Sequence, residues 1–393
     1  MFVYLFATIF SLFFAYLSQR ATKHNKHLLI SASVASTQVY GSPKQNDKWL
    51  PFRINKRVIA EKFFTFLSFF SLFLVSAIRY LVGTDYDGTY KAIYDYTYRD
   101  GYQFNLTGET LYGLLNQIAS IYSGSDYVGV FALSSLLVCG FFFIGLKKQS
   151  VNFSYSVLLF IISGYYFWSF NAVRQMIAMS IFIYAFQYIL NNQPWKYFVC
   201  IFFAAGFHTM ALLYLPLYFL KRIKMSLKII LILLLVFVVS ANSFREIAYL
   251  IASKIEIFNV YAIRYLDNVQ FYTYTESSSS HMFINAAILI LFILISQIYD
   301  RCQRKSNVWI TIQFIALVFS SLSNDLPLAN RISRLFAVTQ ILSIPAMTGL
   351  ITDKTLRIII NFSIIACWII YSVVTFYILG YHDVFPYQTI FDR

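Results

Sequence analysis

The chain has 393 residues, of which 59% are hydrophobic, 20% aromatic and only 12% charged. A soluble domain carries roughly 25% charged residues, so an ordinary soluble enzyme is excluded and an all-α, polytopic integral membrane protein is expected. Lysine and arginine number 31 against 17 acidic residues, a net charge of +14, which in lipid is read by position and implies no nucleic-acid partner.

Apolar stretches long enough to cross about 30 Å of hydrocarbon occur at Phe2 to Leu17, Phe63 to Val82, Tyr127 to Leu146, Phe153 to Phe170 and Ala172 to Leu190. Further ones lie at Ile229 to Ser243, Met282 to Tyr299, Val308 to Ser323, Leu335 to Ile351 and Leu356 to Leu379, giving ten expected spans. The first lacks a basic leader and a small-residue cleavage site and reads as a retained helix. The stretch from Tyr197 to Leu220 contains Gly206, His208 and Pro216, and basic residues flank both of its ends. It reads as a re-entrant hairpin or two short tilted helices, turning near Gly206 to Thr209.

With that assignment 21 basic and 4 acidic residues fall inside, against 10 and 13 outside, and both termini face outside. Residues 18–62 form a basic cytoplasmic loop, read as a solvated tether drawn to anionic lipid. Residues 83–126 and 244–281 are long outer loops, and the whole reads as one integral domain. No GxxxxGK[ST] or GxGxxG motif occurs, which argues against an ATP-driven pump. The four cysteines, Cys139, Cys200, Cys302 and Cys367, show no metal-ligand spacing, so neither a metal site nor a disulfide framework is expected.

The outer face carries the chemistry. After Arg79, the first loop presents Asp85 and Asp87 among Tyr80, Tyr86 and Tyr90. Tyrosine faces pack on pyranose rings, and carboxylates accept hydrogen bonds from hydroxyls or deprotonate one; the alternative is an interfacial aromatic belt. Glu109 opens a short amphipathic helix suited to the membrane surface, where its charge would also complement the helix dipole. Arg174 lies in an apolar run, where a charge at the bilayer centre costs about 2.5–3.5 kcal/mol; it is either functional or snorkels to headgroups. His208 sits at the hairpin turn, either lining a cavity or bonded to a carbonyl. Arg331 and Arg334, at i and i+3, share a helix face and suit a phosphate clamp. Arg79, Arg174, Arg331 and Arg334 gather on the side that positive-inside bias depletes, which points to an anionic ligand such as a lipid pyrophosphate.

Arg79, Val82-Gly83-Thr84-Asp85-Tyr86, Tyr90, Glu109, Arg174-Gln175-x-x-Ala178 and Phe207-His208-x-x-Ala211-Leu212, in that order, resemble the EpsG branch of the Wzy-type bacterial polysaccharide polymerases. The resemblance covers Phe63 to Leu220. It implies an enzyme of the bacterial cytoplasmic membrane that joins undecaprenyl-pyrophosphate-linked oligosaccharide repeats at the outer face. No cofactor is needed, because the donor is already activated, and a flippase and chain-length regulators are the implied companions. Arg174 with Arg331 or Arg334 would hold the leaving pyrophosphate. Asp85, Glu109 or His208 would be the general base, with a carboxylate of the first outer loop favoured. Two other classes compete: a transferase using a polyprenyl-monophosphate sugar, suggested by Asp85-x-Asp87 after a membrane helix, and a flippase, disfavoured by the lack of internal repeats.

Overall fold

The computed structural model describes residues 2–22, 58–101, 109–219, 225–233, 280–300, 306–323 and 328–393 in full, and the helical backbone alone at 23–38, 50–57, 220, 234–240 and 279. All regular structure among them is helical, apart from a single antiparallel bridge between Arg79 and Thr389. The helices are α1 (Phe2–Gln38), α2 (Leu50–Ala77), α3 (Ala92–Asp100), α4 (Thr110–Ser123), α5 (Val128–Gln149), α6 (Phe153–Ile162), α7 (Tyr165–Trp168), α8 (Val173–Leu190) and α9 (Pro194–Ala205). They continue as α10 (Leu217–Leu220), α11 (Leu227–Ser240), α12 (Ser279–Tyr299), α13 (Asn307–Ser321), α14 (Ala329–Ala337), α15 (Gln340–Thr348) and α16 (Lys354–Ser372). π-Helical turns cover Tyr86–Lys91 and Val373–Ile378, and a 3₁₀ turn covers Thr209–Tyr214.

Among the described residues, six helical stretches are long and apolar enough to cross a membrane: Phe2–Thr22, Val58–Ala77, Val128–Gln149, Val173–Leu190, Ser280–Tyr299 and Lys354–Ile378. Each coincides with one of the ten expected spans. The other four expected spans are shorter or interrupted within the described residues. The 153–170 stretch breaks after Ile162, where Gly164 takes φ +87°, and the 335–351 stretch divides into α14 and α15. α13 has 15 residues, and α11 has 14 up to the described limit at Ser240. The 244–278 part of the second outer loop, Lys221 to Lys224, and the Asn324–Pro327 cluster lie outside the described residues.

The basic segment 18–62 departs from the expected tether, because α1 continues as helix to Gln38 and α2 already begins at Leu50. The reason is in the sequence: no glycine or proline occurs between Phe2 and Tyr40, so nothing in the backbone stops the helix.

The contacts divide the chain into two compact units, one of residues 1–212 and 361–393 and one of residues 213–360. In the first, α1 packs along α2, α2 on α5, α5 on α8 and α8 on α9. One end of this bundle is basic. There Lys147 Nζ pairs with Glu61 Oε1 at 3.0 Å and donates to Ser18 and Thr22 at 2.8 and 2.9 Å, joining α1, α2 and α5. At the other end the C-terminal segment is bonded across the helix ends: the Tyr4 hydroxyl donates to the Val384 carbonyl, the Tyr387 hydroxyl to that of Val75, and Arg393 forms a bidentate pair with Asp126.

In the second unit, α12 packs on α13 and α15, and α13 on α14. A cluster of buried amides holds these helices: Gln340 Nε2 donates to Asn285 Oδ1 at 2.8 Å and to Gln313 Oε1 at 3.0 Å, while Gln313 Nε2 donates to the Asn285 carbonyl at 3.0 Å. Interhelical hydrogen bonds of this type contribute about 0.6–2 kcal/mol each in a membrane, where no hydrophobic driving force separates helix from lipid.

Gly164 admits a direct test of the packing. It combines a left-handed backbone with a neighbour that leaves no room, since a Cβ there would stand 2.7 Å from the Phe376 ring. Gly164→Ala should cost about 1–3 kcal/mol from the backbone alone, and more if Phe376 cannot move. It should lower the melting temperature of the purified protein by several degrees, whereas alanine at Gly88, which has open space, should not.

Candidate functional site

Glu109 immediately precedes α4 and is its N-cap residue, yet its side chain makes no capping bond. Both carboxylate oxygens point elsewhere. Oε2 accepts from Arg174 Nη1 at 2.5 Å, and Oε1 meets His208 Nδ1 in a short hydrogen bond. The side chains are 16% exposed for Glu109, 18% for His208 and 34% for Arg174. Three separate pieces of backbone deliver them: the residue before α4 within the first outer loop, the second residue of α8, and the irregular turn between α9 and the 3₁₀ segment. That turn exists because α9 stops at Gly206, whose carbonyl accepts the Leu111 amide at 2.8 Å and so ties the turn to the first turn of α4.

The electrostatics follow from this contact. Burial opposes ionisation of Glu109, but the hydrogen bond and attraction of His208, then those of Arg174, outweigh it, and the carboxyl pKa is held below the ordinary glutamate range. His208 Nε2 has no hydrogen-bond partner among the described residues. A carboxylate therefore fixes one imidazole nitrogen and leaves the other to a ligand, while the guanidinium keeps further N–H groups for an anion.

Tyr90 and Tyr112 form the wall behind Arg174. The Tyr90 hydroxyl is hydrogen-bonded to Arg174, and the Arg174 guanidinium lies 5.8 Å from the centre of the Tyr112 ring. Burial, partly offset by Arg174, pushes the Tyr90 phenol up to about 12. Tyr90 lies in the π-helical turn 86–91, and the carbonyl of the preceding Asp85 accepts both the Thr89 and Tyr90 amides. Asp85 lies within electrostatic reach of Tyr90, and its own amide donates to Asn171 Oδ1 at 3.3 Å.

Other sequence candidates sit differently from expectation. Tyr86 and Tyr90 offer no face to a sugar: both are buried, Tyr86 stacks on Phe131 with centroids 4.3 Å apart, and Tyr90 packs edge-on against Tyr112. Asp87 is exposed and pairs with Lys91 at 3.5 Å, one turn on. Arg79 is 1% exposed and is no open phosphate ligand. Its Nη1 donates to the Ser76 carbonyl at 2.6 Å, and its guanidinium lies 4.6 Å from the Phe131 centroid and 4.9 Å from that of Phe170. The cation caps the carbonyl end of α2 and lies between two aromatic faces, while its Nε and Nη2 have no hydrogen-bond partner among the described residues. Arg331 and Arg334 lie on α14 in the second unit, where Arg331 is exposed and Arg334 is 6% exposed, so the two do not present a matched pair of forks.

Asn171 was not singled out by its residue type, yet it organises the site's outer edge. Oδ1 accepts from the Thr84 hydroxyl and the Asp85 amide, and Nδ2 donates to the His382 carbonyl at 3.0 Å. Gly83, at φ +111°, passes so close that a Cβ would stand 2.8 Å from both Asn171 Oδ1 and the Phe170 carbonyl. A lone amide three residues before an arginine, in an otherwise apolar run, was the available signal.

The model of the EpsG family matches residues 62–389. The chain belongs to the EpsG family. Membership makes it a multi-pass membrane protein of polysaccharide biosynthesis, and the matched region contains Glu109, Arg174 and His208. No curated protein matches the chain, and no solved structure does.

The lowered carboxyl pKa of Glu109 sets the sign of a pH effect. A group whose folded pKa is depressed stabilises the fold above its unfolded value, about 4.3, and that stability disappears as pH falls through the folded value. Glu109→Gln should therefore lower the melting temperature at pH 7, in line with about 1.5–3 kcal/mol for a charged hydrogen bond. The gap between variant and parent should close as melts are repeated toward pH 3; a gap independent of pH would refute an ionised Glu109.

Proposed function

We propose that this EpsG-family chain is a polysaccharide polymerase. It transfers a growing glycan from its lipid pyrophosphate onto the next lipid-pyrophosphate-linked repeat unit, at the outer face of the bacterial cytoplasmic membrane. The observation that carries this reading is the Glu109 carboxylate held between Arg174 and His208, which puts an anion-binding group and a potential base in one place.

In this reading an acceptor hydroxyl attacks the anomeric carbon of the donor glycan. The new glycosidic bond forms as the bond from that carbon to the pyrophosphate oxygen breaks, and the lipid pyrophosphate departs as an anion. His208 Nε2 takes the hydroxyl proton. Glu109 orients the ring through Nδ1 and stabilises the imidazolium that forms, as a carboxylate does beside a catalytic histidine elsewhere. This assigns the base to histidine rather than to Glu109, one of the two first-loop carboxylates favoured from sequence, because both Glu109 oxygens are engaged, and it gives the other, Asp85, to the acceptor sugar. Arg174, with Tyr90 fixing its position, stabilises the charge developing on the leaving group, and Asp85 accepts hydrogen bonds from the acceptor sugar.

The test is incubation of purified protein with a lipid-pyrophosphate-linked repeat unit. A ladder spaced by whole repeats is expected. Addition of a single sugar from a polyprenyl monophosphate instead would favour the transferase reading. His208→Gln should reduce ladder formation by about 10²–10⁴-fold, the range of general-base catalysis, and Arg174→Lys should fail nearly as badly as Arg174→Ala, since lysine loses the guanidinium fork. Near-normal ladders from His208→Gln would remove it as the base.

A further inference from the structure

We infer that the Glu109–His208 pair is reached sideways from the lipid, through a wedge between α4 and α9 that seats the hydrocarbon chain of the lipid-pyrophosphate substrate. The identity of the lipid rests on the polymerase reading; the wedge rests on the polarity and packing of these two helices.

α4 is turned inside out. Its polar residues Asn116 and Ser120 are buried, whereas Leu114, Ile118 and Ile121 are exposed at helical spacing, Ile118 by 49%. A helix lying under water would expose the amide and hydroxyl and bury the leucine and isoleucines, so the medium outside α4 is hydrocarbon. α9 shows the same outward face with Val199, Phe202 and Phe203, Phe202 being 60% exposed.

Among the described residues the two helices are joined where α4 begins and α9 ends. The Leu111 amide of α4 bonds to the Gly206 carbonyl at the end of α9, and the helices do not pack along their lengths, since α4 rests on α3 and α5 while α9 rests on α8. Gly206 permits this approach: a Cβ there would stand 2.6 Å from the Leu111 side chain. Glu109 precedes one arm and His208 follows the other, so the ionic groups stand at the junction and both arms are apolar. Arg174, one-third exposed, adds a cation there.

Two apolar outward faces that meet at a partly exposed guanidinium complement a molecule with a long hydrocarbon chain and an anionic head. The outward face of α1 around Phe10 is equally apolar and serves as the lipid-facing comparison. The chain of the substrate lies along Leu114 and Ile118 on one side and Phe202 on the other, with its pyrophosphate at Arg174. The substrate then never leaves the leaflet, and only its glycan extends toward the aqueous outer loop.

The experiment places the photoreactive amino acid p-benzoylphenylalanine at Ile118, at Phe202 and, as a lipid-facing comparison, at Phe10. Each protein is reconstituted in phosphatidylcholine nanodiscs and irradiated with ³²P-labelled, sugar-free polyprenyl pyrophosphate. Labelling at 118 and 202 should exceed that at 10 by at least tenfold. It should be displaced by unlabelled polyprenyl pyrophosphate but not by the same concentration of phosphatidylglycerol, and Arg174→Ala should reduce it severalfold. Equal labelling at all three positions, or equal displacement by phosphatidylglycerol, would overturn the inference, the first indicating bulk lipid and the second a general anionic-lipid surface. Because the probe carries no glycan, labelling is independent of transfer. A protein that labels as expected and forms no ladder would sink the polymerase reading alone.

Discussion

A carboxylate has two oxygens, and in Glu109 each is committed to a different strand of the architecture. One fixes the start of α8 through Arg174, the other fixes the turn after α9 through His208. The contacts are two-thirds or more shielded from solvent, so neither the start of α8 nor the turn after α9 can drift from Glu109 without leaving its half-buried charge short of a partner. The remaining features of the outer end are arranged around that constraint. Tyr90 backs Arg174, the π-helical turn places Tyr90, and Asn171 holds the start of that turn.

The groups that meet in the site were individually legible, and their meeting was not. Glu109, Arg174 and His208 each stood out as a titratable residue at the edge of an apolar run. The pairs they form span 65 and 99 residues, and no local pattern encodes that separation. Arg79 shows the opposite failure. An arginine just past a helix reads as interfacial, but whether it snorkels outward or folds back onto the helix carbonyls depends on Phe131 and Phe170. Tyr86 and Tyr90 misled for the same reason, since tyrosine is as suited to a packed aromatic core as to a sugar platform.

Span positions were legible wherever hydropathy was continuous over about 20 residues, because the thickness of the bilayer imposes that length. Where a chain breaks at membrane depth, hydropathy cannot distinguish a crossing from two shorter helices. The break after Ile162 depends on the left-handed Gly164, which composition alone does not reveal. The 18–38 segment carried the converse lesson: polar and basic composition was read as loop, while an unbroken run of residues without glycine or proline kept it helical.

The C-terminal segment reaches back to the earliest parts of the chain. Val384 receives the Tyr4 hydroxyl, Asp383 receives the Gly83 amide and His382 receives the Asn171 side chain. During synthesis these contacts cannot form until the residues after α16 have been made and delivered to the same side as Tyr4. The outer edge of the site therefore waits for the last step of insertion, and a ribosome that has produced everything through the 3₁₀ turn after α9 has made Glu109, Arg174 and His208 without the segment that holds Gly83 and Asn171 in place beside them. Assembly of the surroundings of the site is thereby tied to complete insertion, so partly inserted chains carry its ionic groups but not its finished frame.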